Sequence, residues 1–579
     1  MSARLLLTFL LFTAMTSCAQ AAVVDLSVTD ETGSPLAFRA EIWRDTGRVE
    51  RFWSDDGTLR LTTTPGPAVL LVRHGIDFDA VEMPVDIPAG TLSRKITLRR
   101  RFDARAMGWW SGENHMHVLH GRKDPPATFT DGARIAAADG LDYIQLADAW
   151  EPTFSWLSAE QLNRMSAAAT TSRVVVGWNI EGPKCYMSED DGGEKGNLHC
   201  FGHGWTMALK DISRGWAFFH TGPNYPIIQE IRRQGAVVVC AHPVRFWFNK
   251  GNFVSNMASE LPFDFVAGAA YDAIDILNDS PKLFLDSERL WWNLLNMGYK
   301  VAGTGNSDGN LGGGRGVGRY RTYLRIDGPF TWEKGAQAIR DGACIATSGP
   351  FVQFDVDGRT CGAEFPADGA ARQARIRAWS SPLPGETLLA VQIVRNGEIV
   401  HAWDLRRQRL REWSGSLELS DTEYAWYVVR VLSTCADRVS LRMWGPHVYE
   451  LAVASPVYFL PAGFQRPRPT PATVTLTVRD QEGRPLPAAV KVLDAGSEIA
   501  AAQIGADGHT VLKVPATAML VISSPGYADM RRSLYMDTEI FDYCRNVGGC
   551  YPSFYTPETF RNLAAMLGRL KLVVTMTRQ

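Results

Sequence analysis

The sequence predicts a multidomain chain: a central β/α barrel flanked by N-terminal and C-terminal β-sandwich modules. Three observations predict it. Residues 102–350 alternate compact apolar runs with amphipathic helical stretches, the texture of a parallel sheet with crossover helices. The regions on either side are short runs of alternating apolar and polar residues broken by Gly and Pro, the texture of antiparallel sandwiches. One turn pattern also occurs near both ends. At 579 residues the chain exceeds what one hydrophobic core organises, so several domains are required.

Taken in order, residues 1–21 have Arg4, an apolar stretch from Leu5 to Met15, and the small-residue exit Ala19-Gln20-Ala21. This is the form of a secretory signal, too short to span a bilayer. Met15-Thr16-Ser17-Cys18 also loosely fits a lipoprotein box, leaving lipid attachment at Cys18 as an alternative. Residues 22–101 form the first sandwich. Residues 102–350 form the barrel, with strand-like LDYIQLAD, RVVVGWNIE, GAVVVCAHP, AIDILN and YKVAGTGNSD and helix-like TDGARIAAADG, YPIIQEIRRQG and DSERLWWNLLNMG. Residues 351–462 return to short strands and predict another sandwich, and 463–473 is a Pro-rich linker. Residues 474–579 read as a second copy of the N-terminal module plus a C-terminal tail. Asp30-Glu31-Thr32-Gly33-Ser34-Pro35 and Asp480-Gln481-Glu482-Gly483-Arg484-Pro485 share the pattern D-x-x-G-x-P after an apolar strand.

A formal net charge of −2 without a long run of one sign argues against a nucleic-acid footprint, and no later segment predicts a membrane helix. The expected partner is a small-molecule or glycan-like substrate. Beyond Cys18 there are eight cysteines, none in a C-x-x-C pair, which argues against a thiolate zinc site. Cys185–Cys200 and Cys544–Cys550 each bracket a Gly-rich loop and are the preferred bridges for an exported chain.

Seven of the eleven histidines fall between 115 and 242. Several predicted strands in this part of the chain end on a potential ligand: Asp148, Glu181, His242 and Asp308. In a parallel βα barrel such strand ends converge on one face. His115-Met116-His117 is an H-x-H pair, and on extended backbone both imidazoles point to the same side. His120 and His220 lack supporting partners and read as structural, while His74, His401, His447 and His509 lie in β modules.

At this point a resemblance becomes specific. Gly112-Glu113-Asn114-His115-Met116-His117, Glu181, Gly202-His203, Ala241-His242-Pro243 and Ser307-Asp308-Gly309 occur in the order of the PHP-type metallohydrolases. They look most like the CehA/McbA (carbaryl-hydrolase-like) branch, with Asp275-Ile276-Leu277-Asn278 and Arg321-Thr322-Tyr323 fitting its last strand end and tail. The resemblance covers about 102–350 and extends loosely into 351–460. It implies a distorted, PHP-like β/α barrel holding divalent ions. Carried over by position, His115, His117, Glu181 and Asp308 would hold one ion, and Glu181 would bridge to a second held by His203 and His242. Ala149 and Asn310 stand where the family has histidines for a third ion, so the resemblance implies one or two ions here. Glu113 and Asp148 read as carboxylates that orient imidazoles. His199, four residues before His203, reads as a proton shuttle or as the ligand in its place.

Imidazole and carboxylate ligands without thiolate suit Zn, Mn or Fe. A divalent ion lowers the pKa of its water from about 15.7 toward about 7, giving a hydroxide able to cleave an ester, amide or carbamate, or phosphoester bond. The Gly-rich loop after Asp308 reads either as placing Arg315, Arg319 or Arg321 over an anionic oxygen of the substrate or as a solvated turn with surface arginines, and Asn278 is placed on the substrate as well. Eleven of eighteen tryptophans lie between 109 and 332, as core or as a lining for an aromatic or sugar-like molecule. The leading reading is an exported, periplasmic or secreted, metal-dependent hydrolase. The departures at Ala149 and Asn310 leave two others open: an impaired copy, or a non-catalytic cell-surface or carbohydrate-binding protein with a degenerate barrel. Glu181→Ala or His242→Ala is expected to abolish turnover while largely preserving the fold, and unchanged turnover in either refutes the assignment.

Overall fold

The structure is a computed structural model that describes residues 21–118, 128–147, 157–180, 204–207, 210, 224–244, 246–249, 252–256, 258, 260–278, 281–311, 316–548 and 555–579. None of the described helices is long and apolar enough to cross a membrane.

In the N-terminal module, strand Ala22–Asp30 pairs antiparallel with Thr58–Thr63 and parallel with Thr91–Leu98. A second sheet orders Val49–Ser54, Phe38–Trp43, Gly66–Arg73 and Val81–Ile87. Alternate residues Val24, Leu26 and Val28 face Phe38, Ala40 and Ile42 to form the core. The C-terminal module repeats this topology. Pro471–Arg479 pairs antiparallel with His509–Pro515 and parallel with Leu570–Thr575, and a four-stranded sheet lies against it. The shared turn works alike in both copies. Asp30 Oδ1 accepts from the amides of Thr32 and Ser34, and Asp480 Oδ1 from those of Glu482 and Arg484. Gly33 and Gly483 hold φ of 85° and 81° there. The stretch read as a tail carries helix Pro557–Leu567 and then the strand that completes the sheet.

The Pro-rich stretch is docked rather than free. Phe464 stacks on Tyr424 with ring centroids 4.7 Å apart, Arg466 Nη1 donates to the Gly298 carbonyl, and the Thr470 amide donates to the Val266 carbonyl. The strand that follows starts at Pro471, inside the stretch read as linker.

In the central region, helices Phe129–Ala138, Tyr225–Arg233 and Phe284–Asn296 occur where apolar periodicity predicts them. The first is fixed by a reciprocal cap, in which Thr128 Oγ1 accepts from the Asp131 amide and Asp131 Oδ2 accepts from the Thr128 amide. The strands differ from expectation. Among the described residues they do not close into one hydrogen-bonded barrel but divide between two larger sheets and a separate hairpin of Phe246–Asn249 with Asn252–Asn256. Val175–Asn179, Tyr143–Ala147 and Trp109–His117 run parallel. Arg321–Arg325 and Cys344–Thr347 then continue the sheet antiparallel, and Cys344–Thr347 pairs with Tyr449–Leu460. One eleven-stranded sheet therefore runs from the central region into 351–462, crossing residue 350 without a break. The second sheet orders Gly204–Met207, Val237–Cys240, Ala273–Leu277 and Ala302–Gly305. Side-chain hydroxyls join the two sheets: Thr322 Oγ1 accepts from the Gly305 amide and donates to its carbonyl, and Ser455 Oγ accepts from the Gly303 amide.

Cysteine usage also differs from expectation. Cys544 is a free thiol, because its side chain turns into the core beside Ile540, Tyr535 and Tyr555. Cys185, Cys200 and Cys550 lie outside the described residues. Cys240, Cys344, Cys361 and Cys435 are free as well.

Glu386 is buried within the 351–462 unit, where it accepts from the amides of Leu383 and Ala436. Burial pushes its carboxyl from an ordinary 4.5 up to about 8, and the neighbouring Glu450 carboxylate adds to the rise. The folded state therefore holds this proton more tightly than the unfolded chain. Its stabilisation is complete below about 4.5 and is lost as pH rises toward about 8. Glu386→Gln is expected to flatten the melting temperature against pH across that window; an unchanged slope would count against the assignment.

Candidate metal centre

Strand Trp109–His117 is buried along its whole length. Its pairing with Tyr143–Ala147 slips between Glu113 and Met116, a bulge that re-aims the side chains next to it. His115 and His117 are 0% and 1% exposed. Asp308 is brought beside them by a turn. Its backbone has φ of 45°, and Gly309–Asn310 then pairs parallel with Met116–His117. The Leu311 amide donates to the His117 carbonyl at 3.0 Å. As a result Asp308 Oδ1 lies 3.4 Å from His115 Nε2 and 3.2 Å from His117 Nε2. One donor atom from each of the three residues falls within 4.8 Å of the others.

His242, just beyond Val237–Cys240, sits with its ring 5.6 Å from that of His115. Its φ of 30° is a second left-handed conformation at a non-glycine residue in the site. Such backbone is costly and persists only where the surroundings hold it. Burial alone would raise the Asp308 carboxyl. Instead His115, the His117 hydrogen bond and His242 hold it well below the usual carboxylate range. The group is thus a buried carboxylate facing two imidazole nitrogens, and it fits a divalent ion bound by nitrogen and oxygen donors.

Glu113 does not orient an imidazole. Its carboxylate accepts from the amides of His115 at 3.2 Å, Ser307 at 3.0 Å and Gly318 at 3.3 Å, so it clamps the backbone on both sides of the ligand group. Burial pushes this carboxyl up to about 7 against those bonds.

Of the other residues singled out from sequence, Asn278 is buried and donates from Nδ2 to Asp275 Oδ2 at 3.3 Å. Arg321 is turned away from the histidines. Its guanidinium donates to the carbonyls of Gly318 and Asp139 and to Ser111 Oγ, which places it in the packing and not over the ligand group. Glu181, Asp148, His199, His203 and Arg315 lie outside the described residues. Trp109, Trp110 and Trp178 are buried core residues, and Trp178 Nε1 donates to Asn163. Sequence reasoning missed Asn306 and Asn114 as site residues. Their adjacency to the motif residues Ser307 and His115 was the available signal, and their partners become visible only in three dimensions.

Fold and site together define a multidomain, strand-rich protein with a buried His–His–Asp group. Among solved structures, the chain has a distant likeness to a two-domain protein from Bacteroides vulgatus described as containing a predicted PHP-like metal-dependent phosphoesterase. The identity is 13%, over 56% of this chain and 90% of that one, with a TM-score of 0.30. It also has a likeness to a bacterial adhesin from Mobiluncus mulieris, at 10% identity over 31% of this chain and 81% of that one, with a TM-score of 0.12. No protein-family profile and no curated protein matches the chain. Likenesses this distant carry no inference about activity.

If the three residues share an ion, Asp308→Ala and His117→Ala should each lose tight Zn²⁺ or Co²⁺ uptake, measured by metal analysis after dialysis. His401→Ala, on strand Glu398–Asp404 of another module, should retain it. Equal metal content in all three variants would dismiss the centre.

Proposed function

We propose that this chain is an exported metal-dependent hydrolase of the PHP type, close to the CehA/McbA branch, acting on an ester, amide or carbamate, or phosphoester bond. The observation that carries this reading is the convergence of His115, His117 and Asp308 on one buried point. The order of the sequence motifs supports it independently. By the sequence resemblance, His115, His117, Glu181 and Asp308 would hold one ion, and His203 and His242 a second. When bound, a divalent ion in such a site supplies Lewis acidity, activating water and neutralising developing negative charge.

The protein's own residues prepare that chemistry. Asp308, held as an anion by the neighbouring imidazoles, offers the cation a charged oxygen without first losing a proton. Burial strips competing water from the ligand atoms and strengthens every electrostatic contact among them. Glu113 keeps the His115 and Ser307 backbones in place, so the ligands are set before any substrate arrives. Export rests on the signal-like residues 1–21.

The test is hydrolysis of p-nitrophenyl esters and phosphates by the full chain, before and after chelation, with metal content measured in parallel. Chelation is expected to abolish turnover, and Zn²⁺ or Mn²⁺ to restore it. A metal-free, inactive preparation that stays inactive with either ion would overturn the proposal in favour of a non-catalytic binding protein.

A further inference from the structure

His115 and His117 belong to one sheet, whereas Asp308 follows a strand of the other. The Gly309–Asn310 ladder on Met116–His117 holds the chain after Asp308; before it, no backbone ladder is described between those two strands, and a chain of buried side chains joins them. Asn306 Oδ1 accepts from the Asn114 amide at 2.9 Å and from Asn114 Nδ2 at 3.1 Å. Asn306 Nδ2 donates to Asp275 Oδ1 at 2.6 Å, and the same oxygen accepts from Thr304 Oγ1 at 2.6 Å. The Asn306 amide donates to the Leu277 carbonyl at 3.0 Å, and Asn179 Nδ2 donates to the Asn114 carbonyl at 2.6 Å. Asn114, Asp275, Thr304 and Asn306 are all 0% exposed. Strands Trp109–His117 and Ala273–Leu277 are thereby tied through the side-chain amide of Asn306, just beyond Ala302–Gly305, and Val175–Asn179 joins them through Asn179.

We infer that Asn306, oriented by Asp275, is a positioning residue for the metal centre, an inference that rests on the metal reading above. The Asn114 backbone N–H can only donate, so the oxygen of Asn306 must face it and the NH₂ must face the Asp275 carboxyl. That polarity pins Asn114, one residue before His115, to a site two residues before Asp308. A slip there moves a ligand on each side of the ion. Groups that orient metal ligands from behind typically change metal affinity by roughly 10–100-fold when altered.

Reversing the polarity tests this. Asn306→Asp sets a carboxylate against Asp275 and is expected to weaken Co²⁺ binding by the full chain roughly 10–100-fold, read from the cobalt d–d absorption. The double variant Asn306→Asp/Asp275→Asn keeps the net charge and rebuilds the pair with donor and acceptor exchanged, so most of the affinity should return. Thermal melting of the metal-free proteins separates this effect from loss of fold. If Asn306→Asp does not fold, a folded double variant that binds like the wild type still supports the inference. Wild-type affinity in Asn306→Asp overturns it. So does a double variant that melts like the wild type yet binds weakly. A wild-type chain that takes up no Co²⁺ is a separate result: it removes the metal reading itself, and the positioning role with it.

Discussion

One oxygen of Asp308 meets the Nε2 atoms of two histidines, at 3.2 Å from His117 and 3.4 Å from His115, although His117 and Asp308 are 191 positions apart in the chain. Holding it there demands left-handed backbone at a non-glycine residue, which costs on the order of 1–2 kcal/mol. Such a turn survives only if its flanks are bound. On one side Gly309–Asn310 joins the histidine strand in a short parallel ladder. On the other, the Ser307 amide is taken by Glu113 and the Asn306 side chain by Asn114 and Asp275. The polar atoms around the turn therefore have two uses: they satisfy the buried backbone, and they set where the carboxylate points.

Two carboxyl groups in this small volume are driven in opposite directions by their neighbours. Glu113 is surrounded by backbone amides, whose hydrogen bonds do not outweigh burial, and its carboxyl is pushed up to about 7. Asp308 is equally enclosed but lies against imidazoles, and its carboxyl is held well below the usual range. The separation divides the labour. Asp308 remains an anion fit to face a cation, while Glu113, committed to three amides, serves the backbone.

The parts of the site that were legible in the sequence are those encoded by short, local patterns. H-x-H on a strand and Asp308 after an apolar run both announce themselves, because alternation and strand-end placement are local properties. The paired D-x-x-G-x-P turns were legible for the same reason, since Gly33 and Gly483 are needed for the same positive φ. Barrel closure was not legible. Strand direction is decided by which edge is free to pair, so nothing local in RTYLR or CIAT reports that both run antiparallel to their neighbours. Nor was the use of Arg321, whose guanidinium finds backbone carbonyls that exist only once the strands are assembled. Cys544 and Cys550 invite a bridge by spacing, yet the helical face that carries Cys544 packs inward.

The continuous sheet changes what the residue-350 boundary means. The histidine strand is held by Tyr143–Ala147 on one edge and Arg321–Arg325 on the other, and the latter is backed in turn by Cys344–Thr347 and Tyr449–Leu460. Trp109, Tyr323 and Ile345 from the central region share a core with Phe351, Trp379 and Val429. Ser455, from beyond the boundary, reaches back to the Gly303 amide on the strand that leads to Asp308. Without residues past 350, the edge of Cys344–Thr347 would lose its partner and the two sheets one of their cross-links, while the apolar faces of Trp109 and Tyr323 would open to water. The 351–462 unit is therefore part of what fixes the histidines against the aspartate. A centre assembled from two sheets is only as rigid as the module that holds those sheets together.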